Sequence, residues 1–479
     1  MRNMKTILLA LLVSATSASP IFETTVIDKD SAPLLSSTTA VEKEIPHSYM
    51  VVFKDHVKDE HADQHHDWVA SQHASSLRKR DQSTFTTEGL FHDVWDTLTG
   101  VNHKYRLGNL KGYSGKFSPD VVELIRKHPD VEYVEIDSEV HTMEKKHKKS
   151  HDGDKDTEIT QKSAPWGLAR LSHRSSLSFG TFNKYLYDSN GGSGVTAYVI
   201  DTGVNYKHAD FEGRARWGKT IPDNDEDADG NGHGSHCAGT IAGRRFGVAK
   251  NANVVGVKVL RSSGSGSMSD VVKGVEYAAE AHIEELRQAK KKNKKFRGST
   301  ANMSLGGGKS RTLDLAVNAA VEAGLHFAVA AGNDNSDACN YSPAGAENAV
   351  TVGATDVGDA RASFSNKGKC VDIFAPGVNI QSVWTGGNHT VNTISGTSMA
   401  SPHMCGLLTY LLSLQPERKS GFYTPLSPKK LKQLVLDLGT PGTLSDVDAQ
   451  TINLLAFNGV GTNVTSIIGE LMEDDAQST

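Results

Sequence analysis

The chain has 479 residues, of which 37% are hydrophobic and 22% are charged. Lysine and arginine (51) nearly balance aspartate and glutamate (56), for a formal net charge of -5. This composition excludes a wholly disordered chain and a general nucleic-acid binder, and the length allows roughly two to four folding units. Histidine is unevenly spread, because twelve of the 20 histidines lie between His47 and His151.

The first residues have the pattern of a secretory signal peptide. Arg2 and Lys5 precede an apolar run from Ile7 to Val13, and small residues then lead to a cleavage point near Ala18. No apolar run in the chain reaches the roughly 18 residues of a membrane helix, so we expect no membrane anchor. The four cysteines are too few for a disulfide-stapled scaffold, and their spacing matches no zinc site.

A small α+β domain is predicted over residues 47–143. The preceding residues 19–46 are rich in Ser and Thr without periodicity, which predicts a linker. Residues 144–163 carry dense charge and few apolar side chains, so we expect an exposed, easily cut segment there. The elements predicted for the domain are strands over 48–54 and 131–135 and helices through 68–77 and 120–126.

Residues 164–459 change to an alternation of apolar strands and helices, which predicts a mostly parallel sheet covered on both faces. In such a sheet, catalytic groups gather at the carboxyl ends of the strands. Residues 460–479 are polar and acidic, and we expect a loose, flexible tail. The predicted elements are strands over 195–200, 254–260, 301–305 and 326–330 and helices over 269–290, 312–324 and 398–414.

Three motifs place reactive side chains beside these elements. Asp201 follows a strand in Asp-Thr-Gly, His233 lies among glycines in Asn-Gly-His-Gly-Ser, and Ser398 stands in Gly-Thr-Ser-Met-Ala at a helix start. A serine hydroxyl becomes a nucleophile when an imidazole takes its proton, and a carboxylate must orient that imidazole. We therefore predict Asp201, His233 and Ser398 as a catalytic triad.

A fourth motif, Ala-Ala-Gly-Asn, ends a predicted strand at Asn333. An amide there can donate to a developing oxyanion, with the backbone amide of Ser398 as second donor, so we predict an oxyanion hole from these two residues. The competing interpretation of Asp-Thr-Gly at 201–203 is an aspartic protease. Such an enzyme needs a second copy of the motif, and the chain has none.

At these residues the chain resembles the subtilisin-like serine proteases, whose triad follows the order Asp, His, Ser along the sequence. Within that family it is similar to the proteinase K branch and to the fungal vacuolar serine proteases of the cerevisin (proteinase B) type. The resemblance implies a subtilisin-like, doubly wound α/β sheet preceded by an inhibitor-type prodomain. Further segments that carry it are residues 164–170, 304–308 and 314–320.

The resemblance implies a serine endopeptidase made as a self-processing zymogen, with broad specificity, a preference for apolar or aromatic P1 side chains and no cofactor for the chemistry. Protein and peptide substrates and the chain's own prodomain, as intramolecular chaperone and inhibitor, are the implied partners; we expect a monomer and no nucleic acid. The alternative is an inactive subtilase-fold binding protein or an inhibitor acting through its prodomain. An intact set of Asp201, His233, Ser398 and Asn333 argues against the inactive form.

Substrate-binding residues follow from the resemblance. An edge strand that pairs with an extended peptide corresponds to Gly264, Ser265 and Gly266, where glycine leaves the backbone free for strand addition. One wall of the S1 pocket corresponds to Ser304, Leu305 and Gly306. The other wall corresponds to Ala330 and Gly332.

The resemblance also pairs Cys339 with Cys370 in a disulfide and makes Cys237 a buried thiol beneath the catalytic histidine. A calcium site is implied as well, although carbonyl ligands leave no sequence signature. Its ligands would be the Asp372 carboxylate and the backbone carbonyls of Glu347 and Ala349.

The signal peptide sends the chain into the secretory pathway. The resemblance favours the vacuole as its destination, with extracellular secretion as the alternative. Glycosylation sequons begin at Asn340, Asn388 and Asn463, of which Asn388 is favoured, whereas a formal sequon at Asn302 lies in a predicted core strand.

The histidine-rich prodomain suggests a pH switch, in which protonation weakens its grip on the protease. The alternative is that many of these histidines, such as His65 and His66, are simply exposed.

Overall fold

The structure is a computed structural model that describes residues 22–25, 31–37, 43–83, 98–146, 160–292, 296–415 and 425–477. The predicted signal peptide, residues 1–18, lies outside the described residues. None of the described helices combines the length and apolarity that a membrane span needs.

The amino-terminal unit is built on a sheet with strand order β1-β2-β6-β3-β5-β4. Its helices pack on one face, where Phe53, Phe117 and Val122 belong to one apolar core. The opposite face, with Met50 and Val140, shares a core with helices of the following unit. The elements are β1 (Phe22–Thr25), β2 (Leu34–Ser37), β3 (Glu44–Phe53), α1 (Asp59–Ser83), β4 (Gly100–Leu107), β5 (Leu110–Lys116), α2 (Pro119–Arg126) and β6 (Val131–Thr142).

The prediction of a linker over residues 19–46 is wrong in part. β1 and β2 lie within it, β2 joins the sheet parallel to β6, and β3 begins before residue 47. Leu35 in β2 is only 6% exposed. A short apolar pair among Ser and Thr shows no periodicity, yet it is enough to cover the edge of a sheet that other residues form.

The second unit contains a nine-stranded sheet in the order β11-β12-β10-β14-β16-β18-β19-β23-β22, parallel except for its last pair. Its strands are β10 (Val195–Asp201), β11 (Ala215–Thr220), β12 (Asn253–Lys258), β14 (Gly298–Met303), β16 (His326–Ala330), β18 (Val350–Thr355), β19 (Ile373–Pro376), β22 (Thr440–Pro441) and β23 (Leu454–Leu455). Its helices are α3 (Trp166–Leu171), α4 (His233–Ala242), α5 (Met268–Lys292), α6 (Arg311–Glu322), α7 (Thr397–Ser413), α8 (Pro428–Leu438) and α9 (Val464–Gln477). Shorter strands are β7 (Lys145–Lys146), β8 (Thr160–Lys162), β9 (Lys184–Leu186), β13 (Ser265–Ser267), β15 (Leu305–Gly308), β17 (Tyr341–Ser342), β20 (Ile380–Val383) and β21 (Val391–Ser395).

The central strand shows why this sheet is covered on both faces. All seven residues of β10 are buried, and they alternate between two cores. Ala197 and Val199 pack with side chains of α4 and α7, whereas Tyr198 and Ile200 pack with those of α5 and α6. The predicted doubly wound fold is therefore confirmed, and β10 and β16 end at the same edge of the sheet.

The prediction of a flexible tail over residues 460–479 is wrong for most of that segment. Residues 464–477 form α9, in which Val464 is 5% exposed and Ile468 is fully buried. Ile467 and Leu471 pack partly against the same core. The helical spacing of these four side chains holds the segment on the protein despite the acidic residues around them.

The predicted cleavage segment over residues 144–163 is described only at its ends. β7 pairs antiparallel with β21, and β8 pairs antiparallel with β9. The intervening residues 147–159 lie outside the described part of the chain.

Two carboxylates of the amino-terminal unit join the units by capping helices of the second one. Asp137 accepts from the backbone amide of Ser269 at 3.1 Å and from its hydroxyl at 2.7 Å, at the start of α5. Glu135 accepts in the same way from Thr312, at 3.0 and 2.7 Å, at the start of α6. Helix amino termini favour negative charge, so these contacts fix the prodomain across both helices.

Candidate active site

The carboxylate and imidazole of the predicted triad are in contact at the carboxyl edge of the sheet. β10 ends at Asp201, and α4 begins at His233. Nδ1 of His233 lies 2.8 Å from Oδ1 of Asp201, which also accepts from the Thr202 amide at 2.7 Å. Because Nδ1 donates its proton to Asp201, Nε2 presents its lone pair for use as a base.

The pKa values of the two neighbouring histidines of α4 are shifted in opposite directions. Burial lowers the pKa of His233, but the charge and hydrogen bond of Asp201, helped by Glu144 and Asp229, outweigh burial and leave that pKa raised. His236 has no such carboxylate, and burial lowers its pKa to about 3. Its Nε2 instead faces the carbonyl oxygen of Ile380 at 2.9 Å, so His236 is a neutral packing residue.

A buried carboxylate that the sequence reasoning missed locks this geometry. Oδ1 of Asp229 accepts from the Thr202 hydroxyl at 2.9 Å and the Gly232 amide at 2.8 Å. Oδ2 accepts from the amide and hydroxyl of Ser235, at 3.0 and 2.6 Å. Asp229 therefore ties the end of β10 to the start of α4. In the sequence, the feature that points to Asp229 is its position in an acidic turn just before the His233 motif.

Ser398 is the second residue of α7 and is fully buried. Its Oγ donates to the carbonyl oxygen of Ser304 at 2.9 Å. Nε2 of His233 has no hydrogen-bond partner among the described atoms. The predicted Ser398–His233 hydrogen bond is thus not made in this state, so the hydroxyl must turn from Ser304 to His233 before it can react.

Asn333 follows β16 with its amide oriented by Thr397. Its Oδ1 accepts from the Thr397 amide at 3.0 Å and from the Thr397 hydroxyl at 2.9 Å. The amide nitrogen therefore points away from Thr397. It lies 3.3 Å from where a Cβ on Gly396 would stand, and the carbonyl oxygen of Met143 is closer still to that point. Only glycine at 396 leaves room for that carbonyl.

The peptide-binding strands are filled by the end of the prodomain. β6 lies between β13 and β15 and is antiparallel to both. The Thr142 amide donates to the Gly264 carbonyl at 3.0 Å, and the Met143 amide approaches the Ser304 carbonyl at 3.4 Å. Ser265, Gly266, Leu305 and Gly306 all have backbone partners on β6. The structure thus places these predicted substrate-binding residues along one extended peptide.

The chain passes through this cleft without interruption. The Met143 methyl group lies 2.8 Å from where a Cβ on Gly306 would stand, on the predicted wall of the S1 pocket. After Glu144, β7 pairs Lys145 with Ser395 and Lys146 with Ile394. The peptide bond between Met143 and Glu144 therefore lies between the two strand-paired stretches, beside Gly396.

The second predicted wall lies beside the nucleophile helix. Ala330 ends β16 at 3% exposure, and the Gly332 amide donates to the Thr397 hydroxyl at 3.2 Å. Gly332 has φ +105, and any side chain there would collide with the amide of Asn366. A pocket role for Ala330 and Gly332 remains a prediction.

The cysteines lie as expected. Cys339 and Cys370 form a disulfide with an S–S distance of 2.05 Å. Cys237 and Cys405 are buried free thiols, and Sγ of Cys237 lies 3.5 Å from the carbonyl oxygen of Ser398. Burial raises the pKa of Cys237 well above its ordinary value, so this sulfur is a neutral thiol in the active-site floor.

The residues implied for calcium do not fit that ion. The carbonyl oxygens of Glu347 and Ala349 and the carboxylate of Asp372 converge on one point as expected, but Nζ of Lys432 occupies that point. An ammonium group and a divalent cation repel each other and cannot share the same ligands. The sequence reasoning missed Lys432, because it lies in α8, far along the chain from the loop that holds Asp372.

The sequons differ in exposure. Asn388 and Asn463 are exposed, and Asn340 is half-buried. Asn302 is fully buried, where its amide donates to the Ser304 hydroxyl at 2.9 Å and its oxygen accepts from Ser401 at 2.8 Å.

Comparison with known proteins agrees with this geometry. Residues 192–452 match the subtilase family, peptidase S8, and residues 48–143 match the peptidase inhibitor I9 family. The chain is 60% identical to "Subtilisin-like serine protease Cur l 4.0101" of Cochliobolus lunatus over 474 residues, covering 97% of this chain and 90% of that protein. It is 59% identical to "Alkaline protease 2" of Aspergillus fumigatus over 469 residues, covering 96% and 90%.

Two further likenesses support the same assignment. "Subtilisin-like serine protease Pen c 2" of Penicillium citrinum is 58% identical over 471 residues, covering 96% of this chain and 98% of that one. The crystal structure of a cold adapted subtilisin-like serine proteinase aligns with a TM-score of 0.54 at 45% identity, over 62% of this chain and 98% of that chain. The chain therefore belongs to the subtilase family of serine endopeptidases and carries a peptidase inhibitor I9 prodomain.

Proposed function

We propose that this chain is the zymogen of a broad-specificity endopeptidase that cuts itself between Met143 and Glu144 and then hydrolyses other proteins. Ser398 is the nucleophile, His233 the general base and acid, and Asp201 the group that orients His233. The observation that carries the proposal is the path of the chain through the cleft, which presents the Met143 carbonyl at Gly396 beside Ser398.

The chemistry follows from these positions. The Ser398 hydroxyl turns to His233, gives its proton to Nε2 and attacks the Met143 carbonyl carbon. The resulting oxyanion is stabilised by the Asn333 side-chain amide and the Ser398 backbone amide. Protonated His233 then gives its proton to the Glu144 nitrogen as the C–N bond breaks. Water, deprotonated by His233, releases the acyl group from Ser398 and completes hydrolysis. None of these steps uses a cofactor.

Broad specificity is supported by the way β6 is held. Its contacts with β13 and β15 are backbone hydrogen bonds, which any extended peptide can make. The P1 side chain in this arrangement is Met143, an apolar group beside Gly306. We therefore infer a preference for apolar and aromatic P1 residues, with the pocket lined on its other side by Ala330 and Gly332.

The prodomain acts as inhibitor and folding template in this proposal. It occupies the substrate strands and caps α5 and α6 with Asp137 and Glu135. Cleavage at Met143 leaves those contacts in place, so the cut prodomain stays bound until it unfolds or is itself digested. The predicted signal peptide places these events in the secretory pathway, with the vacuole as favoured destination and the extracellular space as the alternative.

Labelling of the purified, processed protein with a fluorophosphonate, followed by peptide mapping, tests the nucleophile. The adduct should fall on Ser398, and His233→Ala, cut in trans by the unmodified enzyme so that it too is processed, should label far more slowly. Ser401→Ala, which changes another buried serine of α7, is the matched control and should still label. An adduct elsewhere, or unchanged labelling of the His233→Ala protein, would contradict the triad.

A time course of amino-terminal sequencing tests the processing bond separately. The first new terminus should be Glu144, before any trimming within residues 144–163, and Ser398→Ala should remain uncut. A first terminus elsewhere, with Ser398 labelled normally, would remove the assignment of Met143–Glu144 but leave the enzyme assignment standing.

A further inference from the structure

The ammonium group of Lys432 sits where three oxygens from separate parts of the chain converge. It donates to the carbonyl oxygens of Glu347 at 3.0 Å and Ala349 at 2.6 Å, and it lies 2.9 Å from Oδ2 of Asp372. The Lys432 and Asp372 side chains are 20% and 23% exposed. This is a largely enclosed ion pair, unlike the solvent-exposed pairs that contribute little.

The hydrogen-bond stoichiometry of the site is complete. An ammonium group has three donors, and three acceptors surround Nζ of Lys432. Asp372 is held in turn, because its Oδ2 accepts from the Thr351 amide at 2.8 Å and its own amide donates to the Thr351 carbonyl at 2.9 Å. The ion pair therefore connects α8 with the chain segments that lead into β18 and β19.

Within the described residues, Lys432 supplies the positive charge that lies against the Asp372 carboxylate, at 2.9 Å. Among the described residues, the only cluster of three ligating His, Cys, Asp or Glu side chains is Asp201, His233 and Cys237, which is the active site. Asp372 thus belongs to no such cluster in the described part of the chain.

The observed lengths also suit an ammonium group rather than a metal. Calcium takes about six to eight oxygen ligands at roughly 2.3–2.6 Å, whereas hydrogen bonds from nitrogen are roughly 2.7–3.2 Å long. The three oxygens here lie at 2.6, 3.0 and 2.9 Å from Nζ. With Lys432 in place, these distances are those of hydrogen bonds from an ammonium group, and most exceed a calcium–oxygen distance.

We propose that Lys432 is a built-in cation that takes the place of a divalent metal ion at this site, fastening α8 to Asp372 and to the chain before β18. The stability of this region is then independent of free calcium. The inference does not rest on the proposed processing reaction, because none of the four residues contacts the cleft residues described above.

The test uses the full chain with Ser398→Ala, which removes self-digestion, and compares its melting temperature in EDTA with that in millimolar CaCl2. The parent chain should melt at the same temperature in both. Adding Lys432→Ala should lower melting in EDTA by about 2–5 °C, because one partner of an enclosed pair is left alone. Calcium should restore much of that loss, and calorimetric titration should detect a calcium site that the parent lacks.

Three further variants separate the explanations. Lys432→Met should lower the melting temperature without rescue, because its side chain still fills the position. Lys429→Ala, at an exposed position of the same helix, should change nothing. If Lys432→Ala does not fold, Lys432→Arg keeps the charge and should melt near the parent without a calcium response. An equal calcium response in the parent and in Lys432→Ala, or a destabilised Lys432→Ala that calcium does not rescue, would overturn the proposal.

Discussion

The orientation of single side chains decides whether this site can stabilise negative charge. Asn333 has an oxygen and a nitrogen that could exchange places by a rotation of the amide. Both donors of Thr397 bind the oxygen, so the nitrogen is left to face the side of Gly396 where the scissile carbonyl lies. A donor held in place before the reaction needs no reorganisation when the oxyanion forms.

Asn333→Ala should therefore lower kcat by about 10² to 10³-fold with little change in KM, because the lost hydrogen bond forms mainly in the transition state. Thr397→Val keeps the backbone donor to Asn333 and should lose much less. Steady-state kinetics of the processed enzyme on a peptide anilide measures both variants. A change confined to KM would place Asn333 in ground-state binding instead.

The side chain of Glu144, which follows the scissile bond, affects the pKa of the catalytic base His233. Glu144 is one of the carboxylates that raise the pKa of His233, and His233 must be neutral to accept the Ser398 proton. Glu144→Gln should lower that pKa and shift the rising limb of the pH–rate profile for self-cleavage to lower pH. Gel quantification of uncut chain against pH provides the measurement. The processed enzymes from both chains should share one profile, since Glu144 leaves the cleft after cleavage.

At the scale of elements, the sequence predicts best those structures that local residues determine. The apolar run at 195–200 and the glycine-rich Ser398 motif predict a strand and a helix start that match β10 and α7 closely. β6 was predicted only over 131–135, although it runs to Thr142. Its second half pairs with β13 and β15 from the other unit, and no periodicity within β6 reveals such distant partners.

The two wrong predictions, a linker over residues 19–46 and a flexible tail over residues 460–479, have the same physical cause. β2 is only four residues long and α9 carries several acidic residues, and each is stabilised by a surface that the rest of the fold provides. Lys432 is a similar case, because its role depends on Asp372 in a separate loop. Propensity and pattern cannot show contacts that exist only after folding.

The docking of α9 predicts a stabilising role for the carboxyl-terminal segment. Ile468 is fully buried against the main core, so Ile468→Ala should cost about 2–4 kcal/mol of stability. In a protease this is best measured as a shorter half-life of thermal inactivation, because unfolded molecules are digested. Ser466→Ala, at an exposed position of α9, is the control. Equal half-lives for both variants would show that α9 does not support the core.

At the scale of the whole molecule, pH acts in opposite directions on the interface and on the prodomain core. Nε2 of His103 lies 2.8 Å from Oδ1 of Asp270 across the interface, and Glu135 lies buried at the start of α6. Burial raises the pKa of Glu135 to about 7, so protonation of that carboxylate is favoured in the complex and does not release it. The predicted release at low pH would therefore have to originate within the prodomain.

Buried histidines of the prodomain are the groups that we expect to produce this effect. His65, His66 and His73 are 2%, 4% and 9% exposed, so the suggestion that the first two are simply exposed is wrong. His65 packs against Trp68, Tyr113 and His128, and His66 lies near Asp63, Lys104 and Arg106. Burial lowers the pKa of His65 to about 3 and that of His66 to about 4, and it lowers the pKa of His73 as well.

The sign of the pH dependence follows from these lowered values. Above the ordinary imidazole pKa of about 6.5, each histidine is neutral in the folded and unfolded prodomain, and its stability does not vary with pH. Below that pKa the unfolded chain binds protons that the folded domain excludes. Stability then falls by at most about 1.4 kcal/mol per pH unit for each histidine, until pH approaches the folded pKa.

Replacing His65, His66 and His73 together by Gln should therefore flatten the pH dependence of prodomain release between about pH 6.5 and 4. The measurement is the rate at which the cut but inhibited complex gains activity on a peptide anilide at each pH. Glutamine alters the stability of the core at every pH, so absolute rates are not comparable between the variants. The quantity to compare is therefore the slope of the rate against pH. His61→Gln, at an exposed position of the same helix, should keep the original steepness. If the triple variant kept it too, the prodomain core would not be the pH sensor, and the clustering of histidine in this unit would have no role in release.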